Sequence, residues 1–144
     1  VLVTNQSAVA RGICSLEQVE ILHEQLRDSL AAKSAFLDGV YYCPFHPKGK
    51  VAEFAKDSPL RKPAPGMLLQ ASRDLGLDLS RSLMVGDRRS DLAAGKAAGC
   101  RTALVRTGYG SRTECELPAG DLSADIVADN LLQAVILWLS KAEW

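Results

Sequence analysis

Short apolar runs of β-forming residues alternate along the chain with segments of helical periodicity, and this alternation constrains the fold more than any other feature. Val1 to Thr4 reads as a buried strand. Ser15-Leu16-Glu17-Gln18 is a capping box, after which Leu16, Val19, Leu22, Leu26 and Leu30 recur at helical spacing, predicting an amphipathic helix of roughly four turns. Gly39 to Cys43 is the next strand. Met67 to Leu75 is helical and stops at Gly76, Ser82 to Val85 is a strand running into Gly86-Asp87, and a helix from about Asp91 stops at Gly99. Thr102 to Val105 and Asp125 to Ala128 are two further strands. Asp129 to Lys141 is a closing helix with apolar Leu132, Val135, Ile136 and Leu139. Strand and helix in this rhythm imply βαβ units. The expected fold is α/β, a doubly wound, mostly parallel, Rossmann-like sheet covered on both faces, in a single domain spanning 1–144.

Composition narrows the function. The 144 residues carry 17 Lys+Arg against 17 Asp+Glu, and 47% are apolar. Such a chain buries about two-thirds of its unfolded surface without staples. Zero net charge argues against a nucleic-acid partner, and no apolar run approaches the roughly 20 residues of a membrane helix. Cys14, Cys43, Cys100 and Cys115 lack CxxC spacing and read as reduced thiols of a cytoplasmic protein. Cys43 and His46 lie close together, but a structural zinc wants a full tetrahedral set, and no second pair follows nearby. The first Met is Met67, so a structural segment is expected upstream of Val1.

In open parallel sheets ligands bind beyond the carboxyl ends of the strands. Three stretches occupy such places. Thr4-Asn5-Gln6-Ser7 follows the first strand with a run of hydroxyl and amide groups suited to an anion, though a turn with a cap would use the same residues. Arg61-Lys62-Pro63 ends a long Pro/Gly/Lys-rich loop from Pro44 to Pro65; its paired cations suit a phosphate, or merely a solvated turn. Gly86-Asp87-Arg88-Arg89-Ser90-Asp91 follows a wholly apolar strand. Ser90 and Asp91 are what a helix start prefers, whereas Asp87 at the strand end is a natural Mg2+ ligand where phosphate is the other partner.

Taken in this order, the three stretches resemble motifs two, three and four of the haloacid dehalogenase superfamily of phosphatases. The wording Thr4-Asn5-Gln6-Ser7 with Ala10-Arg11-Gly12, Arg61-Lys62-Pro63 with Pro65-Gly66-Met67, and Val85-Gly86-Asp87 is closest to the heptose bisphosphate phosphatases, with histidinol-phosphate phosphatases next. The resemblance runs from Val1 to about Gly110. It implies a Mg2+-dependent phosphatase that removes a phosphate from a small sugar bisphosphate through an aspartyl-phosphate, in lipopolysaccharide-core synthesis. Thr4 would hydrogen-bond the transferring phosphoryl group and Lys62 would neutralise its charge. Asn5, Gln6, Ser7, Arg61 and Arg88 would bind substrate, and Asp87 would ligate Mg2+.

Departures from the pattern carry expectations of their own. No Asp-x-Asp motif lies upstream of Thr4, so the nucleophile and the central strand bearing it are expected in roughly 30–50 further residues, leaving a gap between the strands of Thr4 and Asp87. Without that acid, a catalytically inactive module is the competing reading. The family's loop zinc would fall on Cys43, Phe45, Ser58 and Leu60, so no zinc is expected, and Phe45, Phe54 and the prolines should order the loop instead. Ala8 stands where a Gly is usual. Too few residues separate Thr4 from Arg61 for a large cap between them, and a monomer is expected.

Overall fold

A computed structural model describes residues 1–116 and 124–141. The first strand, β1 (Leu2–Asn5), runs parallel to β2 (Val40–Cys43), in a register pairing Leu2 with Val40 and Asn5 with Cys43. Between them come a single turn, α1 (Ser7–Ala10), and the long crossover helix α2 (Leu16–Ala31). The start of α2 is fixed by the expected capping box. Ser15 Oγ accepts from Gln18 N at 3.1 Å, and Gln18 Oε1 accepts from Ser15 N at 2.9 Å, satisfying donors that the first helical turn leaves free.

The second half of the chain is a three-stranded parallel sheet in the order β3 (Leu83–Gly86), β4 (Arg101–Val105), β5 (Ile126–Ala128). The helices α3 (Gly66–Leu75), α4 (Arg89–Ala97), α5 (Gly110–Glu116) and α6 (Leu131–Lys141) connect and cover it. Gly76 closes α3 in the left-handed region at φ 65°, where a side chain would be strained. Every strand pair is parallel, as the alternation required. The core of this half is Ala103, Val105, Ile126, Ala128 and Ala134, against which Leu137 and Trp138 pack.

The parallel sheet is in two pieces. Among the described residues, β1–β2 and β3–β4–β5 share no ladder, so β1 and β3 are both edge strands. Hydrogen bonds from Leu2 N to Gly39 O and from Gln6 N to Cys43 O show that the even-numbered residues of β1 turn their backbone groups toward β2. The groups of Val3 and Asn5 therefore face the other edge.

Three details differ from the expectation drawn from periodicity. Helix α4 begins at Arg89 rather than near Asp91, because Arg88 is extended and its N–H is accepted by Asp91 Oδ2 at 3.0 Å, making Asp91 the third residue of the helix. Helix α5 was not anticipated. The apolar stripes of α2 and α6 are largely uncovered: α2 buries Val19 and His23 while Leu22 and Leu26 are exposed, and α6 buries Ala134 while Leu132, Ile136 and Leu139 are exposed. Trp144 lies outside the described residues. All four cysteines are free thiols.

The long loop is ordered by an aromatic contact. The rings of Phe45 and Phe54 are 5.9 Å apart, and the Lys56 ammonium lies 4.7 Å from the centre of the Phe45 ring.

Candidate active site

Asn5, the last residue of β1, holds the basic turn of the loop against the strand. Its Nδ2 donates to Lys62 O and its Oδ1 accepts from Lys62 N, both at 3.0 Å across a separation of 57 residues. A carboxamide is the side chain that can close both halves of such a pairing with the N–H and carbonyl of one residue. Its effect is to fix the Lys62 backbone, so Asn5 is engaged in positioning the lysine.

The Lys62 side chain then crosses between the two sheets. Its ammonium donates to Val3 O at 2.8 Å, on the open edge of β1, and pairs with Asp91 Oδ1 at 2.7 Å on α4. The side chains of Lys62 and Asp91 are only 11% and 8% exposed. An ammonium has three N–H donors, and these contacts use two. The third is available to an anion, and so is the hydroxyl of Thr4, which makes no hydrogen bond among the described residues.

Asp91 read from the sequence as an ordinary helix start, and its partnership with Lys62 was missed. One oxygen does cap the helix through Arg88 N; the other carries the ion pair. Gly86 makes room for it, since a Cβ there would overlap the Asp91 carboxylate. The two readings are compatible because a carboxylate accepts through both oxygens. Sequence showed only the local half.

Asp87 follows Gly86 at the end of β3. Its Oδ2 accepts from Tyr109 N at 2.9 Å and its carbonyl accepts from Thr113 Oγ1 at 2.8 Å, so the turn before α5 and α5 itself are both fixed to this one residue. Gly108, at φ 61°, permits that approach: a Cβ there would meet Asp87 Oδ2. The other carboxylate oxygen, Oδ1, accepts no hydrogen bond among the described residues.

The remaining candidates are arranged around these. Gln6 extends the β1 pairing through its backbone, and Ser7 opens α1. Arg61 donates from Nη1 to Phe45 O at 3.3 Å, which ties it to the aromatic cluster of the loop. Burial first, then the cations of Arg61, Arg11 and Lys48, push the His46 pKa below its ordinary value, with Asp57 opposing. The His46 Nδ1 accepts from Lys48 N at 3.0 Å, a local loop bond. Arg88 lies 3.7 Å over the ring of Tyr109, turned toward α5.

Among the described residues no group of three or more His, Cys, Asp or Glu could hold a metal by itself. Mg2+ does not need one, because it keeps waters and binds through one or two carboxylates plus phosphate oxygens. Asp87, at a strand end with Oδ1 accepting no hydrogen bond among the described residues, fits that requirement.

Comparisons with known proteins find related chains. A family model described as HAD-hydrolase-like matches residues 59–134. The chain is 48% identical over 132 residues to a D-glycero-beta-D-manno-heptose-1,7-bisphosphate 7-phosphatase of Yersinia pestis, covering 91% of this chain and 68% of that protein. To the Escherichia coli K12 protein of the same name it is 47% identical over 136 residues, 94% of this chain and 70% of the relative. A crystal structure of D,D-heptose 1,7-bisphosphate phosphatase from B. bronchiseptica, complexed with magnesium and phosphate, superposes with a TM-score of 0.81 at 30% identity. It covers 96% of this chain and 72% of that one.

Proposed function

The chain belongs to the HAD-like hydrolases, and from that membership we propose that the protein is a Mg2+-dependent phosphomonoesterase acting on a heptose 1,7-bisphosphate. The observation that carries the reading is the Lys62 ammonium, held between Val3 O and Asp91 with one N–H unspent. Phosphoryl transfer asks a protein mainly for positioning and for charge at the oxygens of the moving group. Lys62 supplies the charge, and Asn5 and Asp91 supply its position. Thr4 donates from its hydroxyl to a phosphoryl oxygen, and Gln6, Ser7 and Arg61 line the entrance on the loop side. Asp87 would hold Mg2+ through Oδ1, and the bound ion would neutralise phosphate charge.

Two parts of the reading rest on the split sheet and on the loop. Neither β1 nor the end of β3 offers a carboxylate other than Asp87 that could serve as nucleophile. We assign the nucleophilic acid to a strand lying between β1 and β3, where the backbone groups of Val3 and Asn5 face outward. The loop from Pro44 to Pro65 is assigned no zinc, its order coming from Phe45, Phe54 and Lys56. A small phosphorylated sugar is the partner; no nucleic acid or membrane is assigned, and among the described residues no helix is long and apolar enough to cross a membrane. Action as a monomer in the cytoplasm, within lipopolysaccharide-core synthesis, completes the assignment.

The test is phosphate release by the full-length protein from heptose 1,7-bisphosphate and from histidinol phosphate, with and without Mg2+. Mg2+-dependent release that favours the heptose is expected. Equal rates on the two would sink the heptose assignment, and no release from either would leave an inactive binding module.

A further inference from the structure

Asp87 is held through its side chain and through the peptide bond that follows it. The carbonyl of Asp87 accepts from Thr113 Oγ1 at 2.8 Å, and the N–H of Arg88, the other half of the same peptide unit, donates to Asp91 Oδ2 at 3.0 Å. In a trans peptide these two groups point in opposite directions, so one peptide plane is pinned from α5 on one side and from α4 on the other. The plane sets the backbone of Asp87, and the bond from Tyr109 N to Oδ2 at 2.9 Å sets its side chain. With both fixed, the position of Oδ1 is fixed too.

The two pins have different origins. Asp91 is the third residue of α4, and its bond to Arg88 N belongs to the ordinary closing of a helix start. The Thr113 bond has no local reason. It spans 26 residues, from a helix of seven to the end of a strand. Thr113 is only 8% exposed, and valine, of nearly the same shape, would keep its packing with no hydroxyl to desolvate. What the hydroxyl adds is one directed bond to Asp87 O.

The same run of bonds reaches the lysine. Asp91, which accepts from Arg88 N through Oδ2, pairs through Oδ1 with Lys62 at 2.7 Å. A continuous chain of contacts therefore leads from Lys62 through Asp91 and the Asp87–Arg88 peptide to Thr113. Two glycines let the start of α5 come this close. A Cβ at Gly108 would meet Asp87 Oδ2, and one at Gly110 would overlap Val105 O.

We propose that Thr113 is a positioning residue of the metal site: its hydroxyl holds the Asp87–Arg88 peptide so that Asp87 Oδ1 is in place for a divalent cation before the cation binds. This rests on the phosphatase reading above, in which Asp87 is the Mg2+ ligand, and adds a residue from a helix outside the strand-end and loop stretches. Loss of the hydroxyl leaves the ligand but not its aim, so ordering it falls to the binding step and affinity drops.

The test titrates Mg2+ alone into the full-length protein by calorimetry, in the wild type, Thr113→Val, Thr113→Ser and Thr102→Val. Thr102 is the control. It is buried, its hydroxyl donates to Asp125 Oδ2 at 2.9 Å, and it lies near the start of β4, whereas Asp87 follows the end of the parallel β3. Thr113→Val should bind Mg2+ about tenfold more weakly, as for loss of a bond that orients a metal ligand, while Thr113→Ser and Thr102→Val bind as the wild type does. In turnover of heptose 1,7-bisphosphate, the Mg2+ concentration giving half the maximal rate should rise by the same factor, with kcat at saturating Mg2+ kept within about twofold. Should Thr113→Val not fold, Thr113→Ala is read in its place. Wild-type affinity in the folded variant, or an equal loss in Thr102→Val, overturns the proposal and leaves the phosphatase reading standing. No Mg2+ binding by the wild type, or binding that Asp87→Asn leaves unchanged, also overturns it, because Thr113 then has no ligand to position. If the wild type binds Mg2+ but hydrolyses no sugar phosphate, the phosphatase reading falls, and the calorimetry still decides on Thr113.

Discussion

The ammonium of Lys62 and the carboxylate of Asp91 meet at 2.7 Å with both side chains about nine-tenths buried, and together with the bond from Lys62 to Val3 O this contact ties β1 to α4. Removing one partner of a buried pair leaves an uncompensated charge, which costs more than the pair itself contributes. Lys62→Ala and Asp91→Ala are each expected to lower stability by about 3 kcal/mol, and the double variant by clearly less than their sum. Urea unfolding of the four proteins gives the coupling; additive losses would show that the pair does not act as a unit.

His23 is a buried titratable group outside the site. Its ring packs on Tyr42 at 5.1 Å between centres, and among the described residues its Nε2 has no hydrogen-bond partner. Burial, then the Arg27 cation, hold its pKa below 6.5, with Glu20 opposing. The unfolded chain therefore takes up the proton first as pH falls. The stability linked to the neutral ring is complete above pH 6.5 and declines below it until the folded form titrates too. His23→Phe, which keeps the contact with Tyr42, should lessen this decline. Urea midpoints at pH 7.5 and 5.5 read it, and an equal drop in wild type and variant would remove His23 from the explanation.

Local rules made the strand and helix order legible, together with the capping box of α2 and the stop of α3 at Gly76. What needed partners far along the chain was hidden. The segment Gly110 to Glu116 has no apolar periodicity, and α5 exists because Thr113 bonds the carbonyl of Asp87 and Glu114 pairs with Arg106 at 2.8 Å. Asp91 satisfied the rule for a helix start so well that its ion pair left no trace. Periodicity located the apolar stripes of α2 and α6 but carries no information on what covers them, so exposed Leu22, Leu132 and Ile136 looked like core. Thr4, Lys62 and Asp87 could be singled out as candidates because each stands near a strand end or ends a loop, where sheet topology itself collects residues.

The loop gives a test of metal-free order. Phe54 stacks on Phe45, its carbonyl accepts from His46 N at 3.1 Å, and Phe45 O in turn holds Arg61. Phe54→Ala should cost about 2 kcal/mol, less than a fully buried Phe. A chelator should leave the melting temperature of the wild type unchanged. Stoichiometric zinc in protein purified without chelators would contradict this account of the loop.

Asp87 has two jobs that one substitution separates. Its carbonyl and Oδ2 hold Thr113 and Tyr109, and its Oδ1 is the proposed Mg2+ ligand. In Asp87→Asn the amide oxygen can still accept from Tyr109 N, so the turn before α5 stays in place and the melting temperature should shift by no more than about 2 °C. The negative charge is lost, however, and a neutral amide is a poor ligand for Mg2+. Turnover at saturating Mg2+ should fall about a hundredfold, the scale of losing one fixed electrostatic contact in the transition state. Turnover that keeps its Mg2+ dependence in a folded Asp87→Asn variant would move the metal site elsewhere; a folded variant that has lost both rate and Mg2+ response places it at the end of β3.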